Sequence, residues 1–202
     1  MKKVILSLFF IMISILYSQK FFEEVSCNFD DVKGSSVDWG DYDNDGDQDI
    51  LLAGIDASSN IISKVYRNDG NGIFTDIEAG LEGVYWGSVE WGDYDNDGDL
   101  DLILTGRNNE PNSVSKIYRN DGNDIFTDIE AGLEGVERST SVWGDYDNDD
   151  DLDFFISGGS DVLSISIARI YRNDGNDIFT DIEAVLGGVS SGSADWGDYD
   201  ND

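Results

Sequence analysis

The chain has 202 residues, with 43 acidic and 12 basic side chains, no histidine and a formal net charge of −31. A surface of that charge repels nucleic acid and anionic lipid, so we expect neither as a partner. Aromatic residues make up 12% of the chain, whereas disordered acidic polymers lack large apolar side chains. The composition therefore predicts a folded, strongly acidic protein.

The first eighteen residues have the charge order and length of a secretory signal peptide. Two lysines precede an apolar run over residues 4–16, which is too short to span a membrane. We expect cleavage after residue 18, export from the cell and no membrane insertion after cleavage. Residues 19–30 then form a short lead. Cys27 is the only cysteine, so no internal disulfide is possible.

A nine-residue acidic stretch occurs three times, at 41–49, 93–101 and 145–153. Two like charges about 4 Å apart repel by about 4 kcal/mol at an effective dielectric near 20. Carboxylates at positions one, three, five and nine therefore converge only around a cation, and an all-oxygen site favours calcium over magnesium. The predicted side-chain ligands are Asp41, Asp43, Asp45 and Asp49, then Asp93, Asp95, Asp97 and Asp101, then Asp145, Asp147, Asp149 and Asp153.

The EF-hand is the first alternative, since it also begins D-x-D-x-D-G, but it has Glu at position twelve and lies between helices. Here position twelve is Leu52, Leu104 and Ile156, in a short apolar run that predicts a buried strand. A solvated acidic hairpin without metal is the other alternative. Asp150 replaces the glycine of position six, and Asp adopts a left-handed backbone less freely than Gly. We therefore expect the third site to bind most weakly.

The chain is built from repeats, because Trp39, Trp91, Trp143 and Trp196 are 52, 52 and 53 residues apart. Periods of this length indicate solenoids, propellers or arrays. In the second unit we predict strands near 88–91, 100–105, 115–119 and 125–129, with an Asp-Gly turn between the last two. Four antiparallel strands per unit indicate a propeller blade. The predicted fold is all-β, an incomplete β-propeller of three blades plus a stub from a longer chain, with units at 31–82, 83–134, 135–187 and 188–202.

The repeats differ in two places, at the approach to the first strand and in the loops at 55–60, 107–112 and 159–163. Both should open on the face opposite the acidic loops. We predict that Tyr85, Trp86 and Arg138 contact a partner there, because exposed aromatics and arginine are enriched at hot spots. Packing of Trp86 between blades is the alternative. The arginines that recur after the repeated tyrosine are expected to be structural: Arg67, Arg119 and Arg172.

The pattern D-x-D-x-D-G-x-x-D resembles the calcium loops of FG-GAP and VCBS-type repeats, found in integrin α-subunit propellers and many bacterial exported proteins. The resemblance implies a β-propeller with Ca²⁺ as its cofactor. It further implies that backbone carbonyls at position seven complete each site, those of Asp47, Asp99 and Asp151. The chain lacks the Phe-Gly-x-x-Gly-Ala-Pro signature of the integrin type, so the VCBS-type branch fits better.

These features favour a secreted or cell-surface calcium-binding module that adheres to an extracellular protein or glycan. Catalysis is not expected, because the chain has no histidine and no cluster outside the repeated positions that offers a general acid or base. Two alternatives stay open. The chain could be the non-catalytic part of a carbohydrate-active enzyme such as a polysaccharide lyase, or a structural stalk.

Overall fold

The computed structural model describes residues 29–109 and 113–197. The expected signal peptide, Cys27 and the last acidic stretch at 198–202 lie outside these ranges. The described residues form strands joined by turns, bends and irregular loops. No helix among them is long and apolar enough to cross a membrane. The strands are β1 (Lys33–Gly40), β2 (Asp49–Ile55), β3 (Ile61–Asn68), β4 (Phe74–Asp76), β5 (Val89–Gly92), β6 (Asp101–Arg107), β7 (Ser113–Asn120), β8 (Phe126–Asp128), β9 (Glu137–Gly144), β10 (Asp153–Ser160), β11 (Ile165–Asn173) and β12 (Phe179–Asp181).

These strands form three antiparallel sheets of four, ordered β1-β2-β3-β4, β5-β6-β7-β8 and β9-β10-β11-β12. In the second sheet Trp91 lies opposite Leu102, and Leu102 lies opposite Tyr118. The all-β class and the four-stranded blade are thus confirmed. The sheets stand side by side in chain order without closing into a ring.

The second strand of each sheet is buried on both faces, as its apolar sequence predicts. Leu102 and Leu104 pack into a cluster shared with the first sheet, and Ile103 between them packs into a cluster shared with the third. All three are 0% exposed. Alternate side chains of one strand therefore supply two cores, and each core lies between neighbouring sheets.

The Trp-Gly pair before each acidic loop joins consecutive sheets. The ring of Trp91 stacks on Tyr42 of the first sheet at 5.9 Å, and a methyl group added at Gly40 would lie 2.7 Å from Trp91 Cδ1. Trp143 meets Gly92 in the same way. Trp39 is 55% exposed, because no earlier sheet among the described residues covers it. Trp91 and Trp143 thus each need a glycine in the preceding repeat.

We predict that Gly92→Ala destabilises the fold by about 1–3 kcal/mol, the usual effect of overpacking a tight interior. The added methyl group would lie 2.7 Å from Trp143 Cδ1 and force the indole away from the second sheet. Thermal unfolding measures the loss. Gly187→Ala is the matched control, since its methyl group would have no heavy atom within 4 Å. Equal losses in the two variants would contradict this account.

Candidate metal sites and the opposite face

Carboxylate oxygens converge in the loop between the first two strands of every sheet. The closest groups are Asp41, Asp43 and Asp45 in the first loop, Asp93, Asp95 and Asp101 in the second, and Asp145, Asp147 and Asp153 in the third. Within each group one oxygen per residue lies within 4.8 Å of the others. The structure therefore brings together three of the four predicted side-chain ligands in each loop, whereas Asp49, Asp97 and Asp149 fall outside these groups.

Backbone N–H groups hold these carboxylates in place. In the second loop Asp93 accepts hydrogen bonds from Asp97 N and Gly98 N, both at 3.1 Å, and Asp97 accepts one from Asp99 N at 2.9 Å. Gly98 has φ +95°, a conformation that glycine adopts far more readily than other residues. The chain therefore turns sharply at position six and returns its side chains to one point.

The ninth position connects the loop to the sheet. Asp101 is fully buried, and its two oxygens accept hydrogen bonds from Tyr94 N at 3.1 Å and Asn120 N at 2.8 Å. Burial raises the pKa of Asp101 to about 7, although these two bonds oppose the rise. Burial likewise raises the pKa of Asp49 to about 6. A buried carboxylate beside other carboxylates fits an all-oxygen site for a hard cation such as Ca²⁺.

Neighbouring acidic loops are joined by hydrogen bonds from an asparagine that the sequence analysis did not identify. Asn44 Nδ2 donates to Gly98 O at 3.1 Å and to Asp99 Oδ1 at 2.8 Å in the next repeat. Asn96 makes the same two bonds to the third loop. An available signal was the presence of asparagine at position four of every copy, although it is not one of the predicted metal ligands.

The repeated arginines are structural, as expected. Arg119 pairs with Asp121 at 2.9 Å within its own repeat and with Asp177 at 2.7 Å in the next one. Tyr94 O–H donates to the same Asp177 carboxylate at 2.5 Å. Arg67 makes the equivalent pairs in the first repeat, and Arg172 pairs with Asp174. These contacts join neighbouring sheets on the side of the acidic loops.

Tyr85, Trp86 and Arg138 come together on the opposite face. The rings of Tyr85 and Trp86 are 4.9 Å apart, and the Arg138 guanidinium carbon lies 5.0 Å from the centre of the Trp86 ring. A methyl group added at Gly34 would lie 2.9 Å from Trp86 Cδ1. Trp86 therefore packs between repeats, as the alternative interpretation held, and is nevertheless 45% exposed.

We predict that Asp150→Gly raises calcium affinity at the third loop. Asp150 has φ +72°, and removing the strain of a side chain in that conformation is worth about 1 kcal/mol, or roughly fivefold in Kd. Calcium titration against a chromophoric chelator measures the change. Asp150→Asn is the control, because it removes the same charge but keeps a side chain. Equal affinities in these two variants would remove the backbone explanation.

A comparison with known protein families agrees with the aspartate spacing. Residues 41–104 match the family model described as FG-GAP-like repeat. The matched range includes the first two acidic loops and the β6 residues up to Leu104, so the resemblance is confirmed there. Neither the search of curated proteins nor the search of solved structures gives a match.

Proposed function

Because residues 41–104 form an FG-GAP-like repeat, we propose a secreted or cell-surface module in which calcium stabilises a propeller-like array that binds an extracellular protein or glycan. One observation carries the proposal. Carboxylates converge at one end of every sheet, while an exposed aromatic and arginine group lies at the other. FG-GAP repeats are typical of extracellular proteins, which supports the location.

Calcium has a structural role in this proposal. Aspartate side chains at positions one, three, five and nine hold it, with the backbone carbonyls of Asp47, Asp99 and Asp151. The ion neutralises carboxylates that repel one another within a few ångströms. Extracellular calcium modules bind at about 10⁻⁴ to 10⁻³ M, so such loops are filled outside the cell. Binding to the folded state alone then stabilises it by mass action.

Chelation should therefore lower the melting temperature. At a free calcium concentration of 100 times Kd, each site adds about 2.7 kcal/mol to the free energy of unfolding. Differential scanning calorimetry with calcium and with EDTA measures the difference. Asp101→Asn, which alters a fully buried carboxylate in the second group, should remove part of the calcium-dependent gain. A melt that EDTA leaves unchanged would refute the structural role.

The binding face is proposed from its side chains and from the roles of the other cations. The repeated arginines form ion pairs with aspartates, so their charges stabilise the scaffold. Trp86 keeps nearly half of its surface exposed, and the Arg138 guanidinium carbon lies 5.0 Å from the centre of its ring. Tryptophan, tyrosine and arginine supply much of the energy at many interfaces, so this group suits a partner better than it suits the core.

We expect the calcium-loaded protein to bind at least one extracellular protein or glycan on an array, and Trp86→Ala to weaken that binding at least tenfold. The loss follows from removing the central side chain of the exposed group. Trp39→Ala is the matched control. Trp39 is also exposed, but it lies at the end of β1 that leads into the acidic loop, on the face opposite to Trp86. Similar losses in the two variants would place the binding elsewhere, and an array without any bound partner would refute the binding function.

A further inference from the structure

We propose that the face carrying Trp86 and Arg138 binds a sugar with a single carboxylate, and that the Arg138 guanidinium pairs with that carboxylate. This inference rests on the proposed binding function and names its ligand class. Three independent observations support it. They are the backbone conformation at these positions, the pairing of the protein's cations and the cleft beside Arg138.

The backbone runs from repeat to repeat through one set of equivalent residues. Trp86 N donates to Gly34 O at 2.8 Å, Arg138 N donates to Trp86 O, and Ser191 N donates to Arg138 O at 2.7 Å. All four residues are left-handed, with φ of +59° at Gly34, +51° at Trp86, +47° at Arg138 and +56° at Ser191. The scaffold imposes this conformation, and the first repeat fills the position with glycine.

Side chains at such a position cost stability. A left-handed conformation is less favourable for an ordinary residue than a right-handed one, and glycine escapes most of that penalty. Trp86 and Arg138 therefore occupy positions where glycine would strain the backbone less. Strained residues of this kind are found at binding and active sites. Other residues of the repeat share the conformation, so it supports a binding role for Trp86 and Arg138 only together with the unpaired cations and the cleft.

The ion pairs of the protein show which cations are available to a ligand. Every Lys and Arg in the described residues pairs with a carboxylate within 4 Å, except Lys33 and Arg138. Lys33 lies at the start of β1, and Arg138 lies over the Trp86 ring. In a chain with a net charge of −31, an arginine without a carboxylate partner favours a ligand that brings its own anion.

Arg138 has donors left for a ligand. Its guanidinium carbon lies 5.0 Å from the centre of the Trp86 ring, and none of the guanidinium N–H groups is hydrogen-bonded to a described residue. The edge of a guanidinium matches a carboxylate through two parallel hydrogen bonds. Arg107, by contrast, already donates to Glu137 at 2.8 Å. Arg138 is therefore the arginine of this face that is available to a ligand.

A cleft of about 460 Å³ lies beside Arg138, within the size range of small-molecule sites. Its lining includes Ser166 and Ser190, whose hydroxyls make no hydrogen bond within the described part of the chain. A serine hydroxyl both donates and accepts, as sugar hydroxyls do. The volume has room for one or two sugar rings.

The acidic charge of the protein favours a ligand with a single carboxylate over one with many. The cleft also contains Glu137, which is paired with Arg107, and Asp161, which accepts hydrogen bonds from Ser113 N and Oγ at 3.2 and 3.3 Å. These acids and the overall charge repel a polyanion at long range. The ligand that fits is a uronic acid at the end of an otherwise neutral oligosaccharide.

The test uses the full chain saturated with calcium and three probes: a disaccharide ending in glucuronic acid, its neutral glucose counterpart and a triglutamate peptide. Saturation-transfer difference NMR reports the bound protons, and titration gives Kd. We expect the acidic sugar to bind at least tenfold more tightly than either of the other two. Equal binding of the acidic and neutral sugars would overturn the carboxylate assignment, and tighter binding of triglutamate would overturn the sugar class.

Arg138→Gly separates binding from stability, because the variant should bind the acidic sugar at least tenfold more weakly while melting at the same temperature or higher. Arg138→Lys keeps the charge without the planar fork and should lose only part of the affinity. Arg172→Gln, at an ion-paired arginine, is the control and should bind normally. Unchanged binding by Arg138→Gly would overturn the proposal. In that case, array binding that still depends on Trp86 would leave the proposed function intact.

Discussion

Repulsion among the loop carboxylates, and its compensation, is the constraint on which this structure depends. Three carboxylate oxygens per loop lie within 4.8 Å of one another, and Asp101 is buried as well. Backbone N–H groups offset part of the repulsion, as those of Asp97 and Gly98 do for Asp93. Hydrogen bonds order the loop but add no positive charge. In the function we propose, a divalent cation supplies that charge and uses oxygens already in position.

The loops and the stacking of the sheets form one system. Asn44 of the first loop donates to Asp99 of the second, and Tyr94 of the second repeat donates to Asp177 of the third. On the interior side, Trp143 lies against Gly92. An ordered loop therefore fixes its neighbour as well as itself. Stability in such arrays is the sum of the repeats and of the interfaces between them, and here the predicted metal sites lie along those interfaces.

Much of this was predictable, because the repeat places each local signal in the same context three times. The spacing of the aspartates predicted the loops, and the apolar run at 102–104 predicted a buried strand. The structure places the first strand of the second sheet at Val89–Gly92, against 88–91 expected. The bonds of Asn96 to the third loop and the left-handed residues at 86 and 138 were not predicted. Both depend on contacts between neighbouring repeats, so the recurrence of asparagine at position four could mark the residue but could not identify its partner.

The two faces of the protein differ in how many contacts the substitution of one side chain removes. A residue in an acidic loop has several partners at once: Asp101 accepts bonds from Tyr94 and Asn120 and lies beside other carboxylates. At the left-handed positions the bonds between repeats are made by main-chain N–H and C=O groups. Replacing Trp86 removes its ring contact with Tyr85 but leaves these main-chain bonds in place. Side chains on that face can therefore differ from repeat to repeat while the main-chain bonds that position them stay the same.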